Sequence, residues 1–174
     1  FGFYKKRKLL LDKWEIADGD VLDVGCGSGH FSDITDHGYL GIDFNSNFIA
    51  SAKKKYGTNN KVFQKADVLD ISKQDKRFHS VIFIGIIHHI DEKTATKILK
   101  ASKKIAKKNI VVMEVIQEQS NFIGKFMRNN DRGDFIRKVP EIERLISSAG
   151  LIIIAKTILK LGPLNTVAIK CTPP

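Results

Sequence analysis

The sequence predicts an α/β sandwich built on a mainly parallel sheet, and three observations carry that prediction. Short apolar runs alternate with amphipathic stretches along the whole chain. The run SVIFIGII, residues 80–87, is continuously apolar, as in a strand buried on both faces. The first apolar run empties into three glycines at alternate positions, Gly25, Gly27 and Gly29. In such folds, ligands bind outside the carboxyl ends of the strands, so that loop is delivered to the binding edge.

The elements follow in order. DVLDVG, residues 20–25, is a short buried strand, and GHFSDITDHG, residues 29–38, reads as a helix ended by Gly38. YLGIDF, residues 39–44, is the second strand. SNFIASAKKKYG, residues 46–57, is a helix opening near Asn45 or Ser46 and stopping at Gly57. KVFQKAD, residues 61–67, and SVIFIGII are the third and fourth strands. The stretch 91–108 has apolar residues at Ala95, Ile98, Leu99, Ala101, Ile105 and Ala106, close to a helical period. NIVVMEVI, residues 109–116, is the fifth strand, followed by a polar, irregular stretch to Asp134. PEIERLISSAG is a helix with Pro140 in its first turn and Gly150 past its end. LIIIAKTIL and NTVAIKC are the last strands. The short KLGPL connection between them favours an antiparallel hairpin.

The 174 residues suit one domain with a substantial core, 43% hydrophobic and 28% charged. No run is long enough to span a membrane. The opening FGFYKKRKLLL is too short in its apolar part for a signal peptide. Residue 1 is Phe, which leaves a start further upstream open. Cys26 and Cys171 have no metal-ligand spacing and make no disulfide framework. A reducing, cytoplasmic setting is therefore expected. The net charge of +10 raises nucleic acid as a partner. The lysines at 53–55, 103–104 and 107–108 lie on scattered helix-like segments, so solvated helix faces are the first reading of them and a nucleic-acid footprint the second.

Glycines at the end of a strand let backbone approach a ligand closely. A nicotinamide loop would read G-x-G-x-x-G, but its last position is His30 here. The pattern is instead Asp23, Gly25, Gly27, Gly29. An acidic residue ahead of the loop repels phosphates and suits a cationic amine or sulfonium. No Gly-Lys-Ser/Thr follows, which excludes a P-loop.

The stretch VLDVGCGSGHF, residues 21–31, resembles the first motif of the class I S-adenosylmethionine-dependent methyltransferases. The similarity continues in order through GIDF, KADVLD, FIGIIHHID and ERLISSAGL. It implies a Rossmann-like three-layer sandwich with a seven-stranded sheet of order 3-2-1-4-5-7-6 and strand 7 antiparallel. It also implies one domain over residues 1–174, S-adenosylmethionine as cofactor and no metal. Asp23, Gly25, Cys26 and Gly27 would form the loop against the cofactor. Asp43 would accept from both ribose hydroxyls, as a carboxylate readily does. Phe44 would lie against adenine, Asp67 would accept from its amino group, and Val68 and Ile84 would offer backbone contacts. His79 departs from the Asp that many relatives carry at the start of the fourth strand.

Methyl transfer from a sulfonium is an in-line displacement, accelerated largely by positioning. An oxygen or protonated nitrogen acceptor must also lose a proton. His88 is expected to face the site as that base and His89 to be a packed loop anchor. Glu114 is a further candidate for holding the acceptor. Arg132 and Arg137, in a loop over residues 129–138, are candidates for gripping an anionic acceptor group. The segment FGFYKKRKLLLDKW resembles a lead-in helix that caps the cofactor, with Tyr4 and Arg7 as contacts. A small-molecule acceptor, methylated at oxygen, is the first expectation. The IIHHI stretch also resembles methyltransferases of modified uridines in transfer RNA, so RNA stays open. So does a non-catalytic, cofactor-binding partner subunit. The oligomeric state is left open.

Overall fold

The computed structural model describes residues 2–74, 77–117, 134–161 and 164–174. Seven strands form one sheet of order β3-β2-β1-β4-β5-β7-β6. They are β1 (Val21–Val24), β2 (Tyr39–Asp43), β3 (Lys61–Lys65), β4 (Phe78–Ile84), β5 (Ala106–Val115), β6 (Ile152–Leu161) and β7 (Leu164–Thr172). The first five run parallel, and β7 is antiparallel to both β5 and β6. The expected order and the expected hairpin are both observed.

The helices are α1 (Gly2–Lys13), α2 (Ser46–Tyr56), α3 (Val68–Ile71), α4 (Glu92–Ile105) and α5 (Val139–Ser148). Successive side chains of a strand face opposite sides, and the central strands bury both. Leu22, Phe83, Ile110 and Val112 pack with Leu99 of α4 and Leu145 of α5. Val21, Ile82, Val111 and Met113 pack on the other side with Leu11 of α1 and Ile49 of α2. No helix among the described residues is long and apolar enough to cross a membrane.

Local chemistry sets the boundaries. The Asn45 side chain accepts from the backbone of Asn47 and Phe48 and opens α2, and Asp91 does the same for α4 through Thr94. Gly150, at φ 73°, lies just past α5, as a helix stop requires.

One expected element is absent. Residues 29–38 form turns rather than a helix. Their backbone bonds reach three residues back, from Ser32 to Gly29 and from Ile34 to Phe31. The Thr35 hydroxyl donates to the carbonyls of Ala17 and Gly19 and accepts from the backbone of His37. Side chains of this type compete with the helix for backbone partners. Thr35 wins that competition here, by tying the stretch to the segment before β1.

Candidate functional site

The carboxyl ends of β1, β2, β3 and β4 open on one edge of the sheet. There the glycine loop leaves β1, with the Gly25 and Cys26 amides donating to the Ile42 carbonyl. Gly25, Gly27 and Gly29 have φ of 74°, 53° and 82°, a region that side chains with a Cβ rarely enter. Space restricts two of them further. A Cβ on Gly25 would lie 2.1 Å from Ile86 Cδ1, and one on Gly29 would lie 2.8 Å from Phe63 Cε1. A Cβ on Gly27 would meet nothing within 4 Å, so Gly27 faces open space.

That space is a cavity of about 410 Å³, lined by Gly25, Gly27, Asp43, Phe44, Asp67 and Val68 among others. A smaller recess of about 250 Å³ shares Gly25, Gly27 and Phe48 with it and adds Asp23, Cys26 and Ile84. All nine residues expected at a cofactor therefore line one connected region. Sequence reasoning missed Phe48. Its signal is a large apolar residue in the first turn of a helix directly after the acidic strand end, and it is left 48% exposed.

The Asp43 carboxylate accepts from the Gly27 amide at 3.0 Å and from the Asn45 amide at 2.8 Å. It thereby ties the glycine loop to the end of β2. Asp67 accepts from the Leu69 amide at 2.9 Å and opens α3. Asp23 is buried and accepts from the Tyr39 hydroxyl at 2.6 Å. Burial pushes its carboxyl up to about 7, against the Tyr39 hydrogen bond and with a further push from Asp43. Burial likewise raises the Cys26 thiol, with Asp23 and Asp43 adding to the shift.

Two expectations about the β4 exit are corrected. His88 does not face the cavity: it is 6% exposed, with Nδ1 2.6 Å from Glu114 Oε2. His89 is the histidine that is exposed and lines the cavity. The two sit in a 3₁₀ turn, Ile87–His89, with ring centroids 4.0 Å apart. Glu114 does not open toward an acceptor. It is 2% exposed, and its Oε1 accepts from the Ile86 and Ile87 amides at 3.0 and 2.7 Å. A strand-end carboxylate with three donors is spent on the turn.

Arg137 is corrected in the same way. Its guanidinium donates to the carbonyls of Ile87 and Ile90, both at 2.8 Å, and of Phe135 at 3.1 Å. It holds the far end of the turn that Glu114 holds at the near end. Anion on the amides and cation on the carbonyls is the arrangement a helical dipole favours. Arg132 and the rest of 129–133 lie outside the described residues.

On α1, the Tyr4 hydroxyl donates to Asp33, and its ring packs on Phe31, which lines the smaller recess. Arg7 is partly buried, and burial lowers its hold on its proton while Glu114 opposes that. Its Nε is buried with no hydrogen-bond partner among the described residues. His79 lies at the other end of the sheet, where its Nε2 donates to the Glu15 carbonyl at 3.3 Å. No group of three His, Cys, Asp or Glu among the described residues is placed to hold a metal.

Comparison with known proteins gives a consistent picture. The family model described as a methyltransferase domain matches residues 21–109. No curated protein matches the sequence. Among solved structures, the chain is similar to magnesium protoporphyrin IX methyltransferase from Synechocystis PCC 6803 with bound S-adenosylhomocysteine, at TM-score 0.76 and 15% identity over 98% of this chain and 82% of that one. It is equally similar to the N-methyltransferase NodS from Bradyrhizobium japonicum WM9, at TM-score 0.76 and 13% identity over 99% and 97%. An S-adenosylmethionine-dependent methyltransferase from Clostridium acetobutylicum ATCC 824 matches at TM-score 0.70 and 13% identity over 98% and 90%. At these identities the likeness is one of fold.

Two stability predictions follow from the loop. Gly27→Ala should cost about 1–2 kcal/mol for its left-handed backbone alone, and Gly29→Ala should cost more because the Phe63 ring must also move. Urea denaturation compares them, and equal losses would show that the Phe63 contact is immaterial. Asp23 binds its proton more tightly folded than unfolded, about 7 against 3.8. Its contribution to stability is thus largest below the unfolded value and is lost as pH rises toward the folded one. Asp23→Asn should flatten that part of the stability curve between roughly pH 4 and pH 7. An unchanged slope would mean that Asp23 titrates normally.

Proposed function

The chain belongs to the methyltransferase domain family, and on that premise we propose that it moves the methyl group of S-adenosylmethionine to a small-molecule acceptor at oxygen. It is an S-adenosylmethionine-dependent methyltransferase; the acceptor and the residue roles are the proposal. The seven strands of one continuous sheet support reading residues 1–174 as a single domain.

The residues present fit the cofactor. The bare face of Gly27 leaves room for it, because a Cβ there would project into open space. Asp43, already fixed by two amides, would receive the ribose hydroxyls. Phe44 and Phe48, 66% and 48% exposed at the rim, would cover the base, with Asp67 and Val68 at its edge. Asp23, Cys26 and Ile84 would bound the amino-acid end in the smaller recess. When bound, the cofactor supplies a methyl group on a cationic sulfur, activated for displacement. The protein's part is to hold an acceptor in line with it and to take up a proton.

One observation carries the acceptor reading. The wall formed by Gly85, Ile86 and Ile90 is apolar and presents His89 as its ionisable side chain. That suits a mainly apolar small molecule with a hydroxyl to be deprotonated. His89 takes the role first expected of His88, while His88, Glu114 and Arg137 would act by holding the turn. A second reading, transfer to RNA, is favoured by a separate feature, the one-signed row of lysines on α4.

Asp43→Ala should weaken S-adenosylhomocysteine binding by a few kcal/mol, since each hydrogen bond to a charged group contributes about 1.5–3. Calorimetry on the folded variant decides, and undiminished affinity would remove the cofactor geometry proposed. His89→Ala should lower label transfer from methyl-labelled cofactor into the small-molecule fraction of cell extract by about 10²–10⁴-fold, with S-adenosylhomocysteine affinity unchanged. Full rate in His89→Ala would leave proximity as sufficient.

A further inference from the structure

Half of the net charge of +10 lies in one stretch. Between Asp91 and Lys108 there are seven lysines and two acids, Asp91 and Glu92. Four of the seven, Lys93, Lys97, Lys100 and Lys104, are spaced four, three and four apart on α4 and are all exposed. Residues at that spacing are neighbours on a helix surface. None of the four has an ion pair among the described residues.

Three of them line a groove of about 480 Å³ between α3 and α4. Lys97, Lys100 and Lys104 lie along one side, Lys73 lies on the other, and Leu69 and Ala101 are among the floor residues. Lys73 is bridged to Asp70 at 2.7 Å, which leaves the α4 row as the uncompensated charge. The groove adjoins the cavity described above. Leu69 follows Val68 and Lys97 precedes Ile98, and both Val68 and Ile98 line that cavity.

A helix face that serves only solubility alternates signs, because opposite charges three or four apart stabilise and like charges repel. The α4 row does the reverse. The helix dipole accounts for Lys104 alone, in the last turn: Lys97 and Lys100 lie mid-helix, and Lys93 stands in the first turn, where a cation is disfavoured. The contrast is α2, whose Lys53, Lys54 and Lys55 stand in the last turn, where the dipole accounts for them. The α4 lysines thus stay together against local helix energetics, which is the pattern expected when an outside polyanion compensates them.

We infer that the α3–α4 groove is a docking surface for a single-stranded nucleic acid, whose phosphates lie along Lys97, Lys100 and Lys104. This rests on the second reading above and supplies its surface. The lysines rise about 4.5–6 Å from one to the next along the axis, so long flexible stems can meet successive phosphates of an extended strand. Apolar floor residues suit ribose and base faces. A membrane would need apolar side chains projecting outward, but here they form the floor and the lysines form the rim. A strand in the groove brings its neighbouring nucleotide to the cavity mouth.

The test uses the full chain, a labelled unstructured 20-nucleotide RNA and DNA of the same sequence, and fluorescence anisotropy across a range of salt. The chain should bind, with affinity falling as salt rises by about 0.7 in the logarithmic slope per phosphate engaged. The triple variant Lys97→Gln, Lys100→Gln, Lys104→Gln should bind at least tenfold more weakly, with a slope shallower by about 2. Its S-adenosylhomocysteine affinity should be unchanged, which shows that it is folded. The triple variant Lys53→Gln, Lys54→Gln, Lys55→Gln should bind as the parent does. The inference is overturned by no binding at low salt, by equal weakening in both triple variants, or by binding to phosphatidylserine vesicles but not to either strand. Methyl label from the cofactor, sought in the RNA arm, decides the acceptor separately. Groove-dependent binding without label upholds the docking surface and removes RNA as the acceptor.

Discussion

The Glu114 carboxylate is the interaction on which the site edge depends. It is buried at the end of β5 and accepts two backbone amides and a histidine nitrogen. A buried anion is tolerated only when it is paired or hydrogen-bonded, and this one is saturated by the turn that leaves β4. The turn in turn presses Ile86 against Gly25, where even a methyl group has no room. So the position of a carboxylate on β5 dictates glycine at the end of β1. Arg137 completes the arrangement from the carbonyl side and binds the 134–138 segment to the same turn, which the Phe135 amide reinforces by donating to the His88 carbonyl.

A second carboxylate does comparable work one strand away. Asp43 holds Gly27 with one oxygen and Asn45 with the other, and Asn45 opens α2. The glycine loop, the end of β2 and the first turn of α2 are therefore one hydrogen-bonded unit. A carboxylate oxygen has capacity beyond one amide, so this structural duty leaves lone pairs facing the cavity. The same economy holds for Asp67, which opens α3 and still lines the cavity. Both carboxylates that line the cavity are thus also fixed by backbone amides, which holds them in place at its wall.

The fold was legible because its signals are local. Alternating apolar runs, the caps at Asn45 and Gly150, and the short KLGPL connection are each readable within a few residues, and together they fix the sheet. That the expected residues line one cavity edge was legible for the same reason: they sit at or just past strand ends, and strand ends converge on one edge. The β4 exit was not. His88 and His89 are adjacent and identical in type, and which one turns inward is set by Glu114, distant in sequence. Glu114 itself reads the same whether it faces a ligand or a buried amide. Arg137 was read as a free guanidinium, and its three carbonyl partners exist only in the folded chain. The turns at 29–38 escaped because the hydroxyl of Thr35 found its partners in another segment, at Ala17 and Gly19.

The charge distribution sorts ligands by sign. The chain is strongly basic overall, yet Asp23, Asp43 and Asp67 all line the connected cavity and recess, where the basic side chains are two histidines, His89 and His30, and no lysine or arginine is among the lining residues. Acids in a partly enclosed space act through a lower dielectric than water and so act strongly. A sulfonium and an ammonium are drawn to such a site, and a phosphate is repelled from it. The α4 face has the opposite sign and lies open to solvent. On the docking surface proposed above, a phosphodiester strand would lie along the groove, and its phosphates would stay outside the acidic cavity. Asp23 adds a graded element. Burial pushes its carboxyl up to about 7, and a cation beside a carboxylate favours the ionised form.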